Sequence, residues 1–136
     1  MSKLLEKSIE SIKAAKLLAS NRFFASVVNR SYYGCVQFLL HKLFTTLKFK
    51  KDEFDAHRRQ NREGSHGWAS KLIQFELAKI DYDDFKWFQK EFPEFQKLRE
   101  KADYQNEEIS QLEAQRAIDK AEAIINLVNS KIKERK

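Results

Sequence analysis

His66 lies between two polar-aromatic segments, Asn29-Arg30-Ser31-Tyr32-Tyr33 and Leu98-Arg99-Glu100-Lys101-Ala102-Asp103-Tyr104. Imidazole exchanges a proton near neutral pH, and guanidinium is a fixed cation shaped to meet phosphate. Together they are what phosphodiester cleavage without a metal requires. His66 is therefore the candidate proton shuttle and Arg99 a candidate phosphate-holding cation. Arg30 and Asp103 complete a possible polar floor for a cleft, and Tyr32, Tyr33 and Tyr104 have the chemistry to stack on bases or donate to phosphate. The basic run Lys50, Lys51, Arg58, Arg59 and Arg62 could track a nucleic-acid backbone, each neutralised phosphate adding a salt-dependent increment of affinity. His57 and the acids Asp52, Glu53 and Asp55 dilute it.

Each residue also has a purely structural reading. Arg30 shares its segment with Val27, Val28, Cys35 and Phe38, and burying an unpaired ion costs several kcal/mol. Asp103 is the simplest partner for either Arg30 or Arg99. The three would then form a buried ion-pair network that sets helix register, in which loss of one member costs about 3–5 kcal/mol. On this reading His66 packs at a helix start against the Arg30 and Asp103 cluster, the tyrosines are core residues with polar tips, and the basic run is an ordinary solvated loop.

The elements that must position these groups are helical. Leu5, Ile9, Ile12, Ala15 and Ala19 recur at three- and four-residue steps and predict a first helix over about Lys3 to Ala19. Ser20-Asn21 offers cap chemistry before a second helix from Arg22 to about Phe49, apolar around much of its circumference and so suited to a bundle centre. Residues 50–65 lose the apolar period and are expected to be flexible. Ser65 can cap a helix ending near Ile80, with Trp68, Leu72, Phe75 and Lys79 down one side and Ala69, Ile73 and Leu77 beside it. Asp81, Asp83 and Asp84 suit a cap and first turn better than a magnesium site. Phe85, Phe88, Phe92, Phe95 and Leu98 form the next stripe, with an interruption expected just before Pro93. Last comes a capping box, Ser110-x-x-Glu113, followed by Ala114, Ile118, Ala121, Ile125, Val128 and Ile132.

The order of these parts resembles the HEPN superfamily, small all-helical domains often encoded beside a nucleotidyltransferase or acting as RNases. The carriers are the Arg-x-Tyr-Tyr segment in a long second helix, Ser65-His66-Gly67 after a polar stretch, the Leu-Arg-x-x-Ala-Asp-Tyr segment and the Ser-capped last helix, over nearly the whole chain. The resemblance implies a ribonuclease pattern of Arg, a short spacer and His. Arg59 meets it at the longest spacing, with Gln60 in the polar position after it, whereas Arg62 is one residue too close. It also implies a homodimer, with His66 and the basic segment near a shared cleft, and a nucleotidyltransferase-type partner of the toxin–antitoxin kind.

Composition sets the frame. A chain of 136 residues with three Gly, one Pro and eleven Phe is expected to form one all-α domain, an up-and-down bundle of about five helices with a four-helix core. The second helix's apolar circumference and the Phe stripe give a reason besides the resemblance to expect a self-complementary dimer face. One Cys, no charged-then-apolar leader and no apolar run of about 18 residues suggest a soluble, cytoplasmic protein without a membrane segment. The net charge of +6 makes polyanions such as RNA or nucleotides plausible partners. No zinc spacing, Gly-rich phosphate loop or nucleophile elbow is present, so neither a metal nor a cofactor is expected. Any nucleotidyltransferase must be a separate polypeptide. The alternative to an RNase is a non-catalytic dimeric module that binds RNA, a nucleotide or a protein.

Overall fold

The computed structural model describes residues 2–60 and 64–133, with the backbone path alone for 57–60 and 64–65. Among them are six helices and no strand: α1 (Lys3–Ser20), α2 (Phe24–Thr45), α3 (Lys51–Gln60), α4 (Gly64–Ile80), α5 (Tyr82–Tyr104) and α6 (Gln111–Lys131). The protein is an all-α helical bundle, as expected. Among the described residues no helix is long and apolar enough to cross a membrane.

The helix ends follow local chemistry. The Ser110 hydroxyl accepts from the Glu113 N–H while the Glu113 carboxylate accepts from the Ser110 N–H, both at 3.1 Å, which completes the expected capping box. Asp81 caps α5 by accepting from the N–H groups of Asp83 and Asp84 at 2.9 and 3.3 Å. Ser20 and Asn21 close α1, their side chains donating to the carbonyls of Lys16 and Leu17, and α2 starts at Phe24 without a side-chain cap. Arg22 makes the turn in the left-handed region, at φ 63°.

The chain's composition puts α2 at the centre, and there it packs against α1, α4, α5 and α6. Val27, Val28, Tyr32, Cys35, Leu39 and Leu43 are buried, and the rest of the core comes mainly from Ile73 and Leu77 of α4, Phe88, Phe92 and Phe95 of α5, and Ala117, Ala121 and Ile124 of α6. Within this apolar core α1 contributes only Ala15. It lies antiparallel to α2 along a polar seam. Ser2 Oγ is 2.6 Å from His41 Nδ1, Ser8 donates to the Gly34 carbonyl at 2.7 Å, and Ser11 donates to Gln37 at 2.9 Å. The approach is close enough that a Cβ on Gly34 would meet Ile12 Cδ1 at 2.8 Å.

Three expectations are corrected. Residues 51–60 are not loop but helix, as α3 occupies Lys51–Gln60. Its Phe54 meets the rings of Phe44 and Trp68 at 5.8 and 5.3 Å, so one aromatic anchor replaces an apolar stripe. On α4 the buried line is Trp68, Ala69, Ile73 and Leu77, while Phe75 is 65% exposed. The helix is apolar on two sides and only one meets the core. Nor is α5 interrupted before Pro93: it runs through, with Pro93 exposed and the buried Phe92 and Phe95 flanking it. Burial of Phe88, Phe92 and Phe95 is worth several kcal/mol, enough to outweigh the backbone bond the proline forgoes.

Pro93 therefore carries a cost that the Phe stripe overrides. Pro93→Ala, which restores the missing N–H on an exposed face, is expected to stabilise the fold by about 1–3 kcal/mol. The check is the denaturant midpoint at unchanged slope; a lower midpoint would show that Pro93 supports α5.

Candidate functional site

Helical register on α2 and α5 decides which of the candidate residues meet. Asn29, Tyr32 and Tyr33 share one face of α2, and Gln96, Arg99 and Asp103 share one face of α5. The two helices run antiparallel with these faces together. Asn29 Nδ2 donates to both carboxylate oxygens of Asp103 at 3.2 and 3.3 Å, and Arg99 donates from one terminal nitrogen to the Tyr33 hydroxyl at 3.1 Å. One turn further, Gln96 reaches the Tyr32 hydroxyl over a long 3.5 Å.

Arg99 is held on several sides. Its Nε lies 3.1 Å from Asp103 Oδ2 but off the N–H axis, an ion pair rather than an aligned hydrogen bond, and both side chains are 18% exposed. The guanidinium carbon sits 5.4, 5.7 and 5.5 Å from the ring centres of Tyr32, Tyr33 and Tyr104. Burial opposes its charge, but the Tyr33 bond and the facing Tyr33, Tyr104 and Asp103 outweigh that and raise its pKa above the ordinary value.

His66, in the first turn of α4, packs against the same two tyrosines, 5.2 Å from the Tyr32 ring and 5.6 Å from the Tyr33 ring. Its Nδ1 is 3.1 Å from the Tyr32 hydroxyl. When Tyr32 donates, the ring carries its proton on Nε2 and can only donate a hydrogen bond from there. When Nδ1–H donates, Nε2 is a base. Burial first, and the Arg99 charge second, lower the His66 pKa, so the ring is neutral at pH 7. Burial pushes the Tyr32 hydroxyl up to about 12, against the Gln96 hydrogen bond, so Tyr32 stays protonated.

The structure thus brings together His66, Arg99, Tyr32, Tyr33, Asp103 and Tyr104. Tyr32 is 1% exposed and reachable only through its neighbours, whereas Tyr104 is exposed. Arg30 is elsewhere. It is exposed and faces α1, lining a groove with Lys7, Glu10 and Leu17, so the expected Arg30–Asp103 pair does not form and Asn29 takes its place. The pairing of Asp103 is with Arg99, one turn away on its own helix, and the cluster is half-open rather than a buried ion network. Arg58 and Arg59 fall on the last turn of α3, but their side chains, like Arg62 altogether, lie outside the described residues. Asn29 and Gln96 are the members that residue type alone does not mark, though their three- and four-residue spacing from the tyrosines and Arg99 does.

No family model, curated protein or solved structure matches the chain. Among the described residues no group of His, Cys, Asp and Glu is arranged to hold a metal ion.

The depressed pKa of His66 makes stability depend on pH. His66 binds its proton less readily folded than unfolded, so its stabilisation is present above the unfolded value of 6.5 and is lost as pH falls through and below it. His41, lowered by burial and then by Lys42, contributes in the same sense. Melting temperature is expected to rise between about pH 5 and 7.5, and His66→Gln should flatten that rise in part. An unchanged pH profile in the variant would place the titration elsewhere.

Proposed function

We propose that this chain is a HEPN-like, RNA-associated domain and a metal-independent endoribonuclease, with the His66–Arg99 cluster engaging a phosphodiester. The observation that supports this most is that a neutral imidazole and a guanidinium share one pair of tyrosine rings. In this reading Arg99 holds the non-bridging oxygens of the scissile phosphate. His66 Nε2 takes the proton of the attacking 2′-hydroxyl while Nδ1–H donates to the Tyr32 oxygen. The bond from phosphorus to the leaving 5′-oxygen breaks, and the imidazolium returns the proton to that oxygen, leaving a 2′,3′-cyclic phosphate. The setting is cytoplasmic, with a nucleotidyltransferase-type protein as the opposing partner.

A non-catalytic reading has one observation in its favour. Arg99 is already neutralised by Asp103 and bonded to Tyr33, so the cluster also serves to hold α2 against α5. The two differ in turnover. With a chelator present, His66→Ala is expected to lower cleavage of single-stranded RNA by about 100-fold or more while the fold persists. In Arg99→Ala, RNA affinity should fall and its log–log salt slope become shallower by about one. If the unaltered protein neither cleaves RNA without metal nor binds it in a salt-sensitive way, the structural reading stands.

We also propose that two copies pair through the outer side of α4 and α5. Phe75 on α4 and Tyr82 and Trp87 on α5 are exposed, and such rings are characteristic of interface cores. Light scattering is expected to give a dimer mass for the unaltered chain and a monomer mass for Phe75→Glu. A monomer before substitution removes the pairing.

A further inference from the structure

The guanidinium of Arg99 touches three tyrosine rings, and the three are not equivalent. Tyr32 is buried in the core, and Tyr33 is half-buried with its hydroxyl taken by Arg99. Tyr104, on the last turn of α5, is 74% exposed. One of its neighbours is the guanidinium, 5.5 Å from the ring centre, a span that a single nucleotide covers between its phosphate and its base.

We infer that Tyr104 is a base-stacking platform and that the ligand of this site is a single strand with an unpaired base next to the phosphate held by Arg99. This rests on the phosphodiester reading proposed above and adds the base to it. An exposed ring can receive only a base whose face is free, which a duplex does not offer. Charge sets the direction of the strand. Beyond Tyr104 the exposed residues are Gln105, Asn106, Glu107 and Glu108, with no cation among them, and Asp103 precedes it. A phosphate backbone is repelled from that loop and drawn to the guanidinium of Arg99, which lies against the same ring. The base therefore stacks at the rim while its phosphate points inward to Arg99 and His66.

The test compares a short labelled oligoadenylate with an abasic strand of equal length, which keeps the phosphates and lacks the bases. Tyr104→Ala is expected to weaken oligoadenylate binding about tenfold and to leave abasic binding and the salt slope unchanged, while Tyr104→Phe and Tyr104→Trp retain affinity. Equal losses on both strands would overturn the platform and make Tyr104 a positioning residue for Arg99. No loss on either strand, with Arg99→Ala still weakening both, would also overturn it and leave the phosphate site standing. Failure of the unaltered protein to bind either strand would remove the phosphodiester reading and the platform with it.

Discussion

The Arg99 guanidinium is the charge about which three helices meet. A half-buried cation loses hydration, and here that loss is offset by a carboxylate on its own helix, a tyrosine hydroxyl on α2 and the negative faces of three rings. Because Asp103 is also gripped by Asn29, the pair ties α5 to α2 as well as neutralising itself. Tyr32 then passes the connection to α4 through His66. The same contacts that fix the register of α2 on α5 fix the placement of the His66 imidazole relative to the Arg99 guanidinium. A site assembled in this way is preorganised, since its side chains are held by partners rather than by a flexible loop.

Centrality of α2 makes this possible. Its apolar residues face α4, α5 and α6, and it has two polar edges. One edge, at Gly34 and Gln37, brings α1 in close through its Ser8 and Ser11, which hydrogen-bond directly to them. The other, at Asn29, Tyr32 and Tyr33, makes the site. Arg30 lies between in sequence but one helical step around, about 100° away, and that step sends it to the α1 side.

Burial and charge act on His66 in the same direction, both disfavouring the imidazolium. A lowered pKa leaves a neutral ring whose proton position is set by Tyr32, and the high pKa of Tyr32 keeps that hydroxyl from ionising in exchange. Both members of the pair are therefore uncharged at neutral pH, which spares a half-buried site the cost of an unpaired ion.

The sequence by itself determined the helical class, the extents of α1 and α6, the Ser110–Glu113 capping box, the Asp81 cap and the central place of α2, because these follow from local periodicity and side-chain chemistry that act within a few residues. It also marked His66, Arg99, Asp103 and the tyrosines as chemically apt. The tertiary structure alone decided that Asn29 rather than Arg30 meets Asp103, that Phe75 is left outside, that Phe54 holds a helix in an aperiodic segment and that Pro93 is carried through α5. Each is a choice between neighbouring positions on a helix or between a local penalty and distant packing. The energy that settles it lies in contacts between residues far apart in the chain, which no local pattern records.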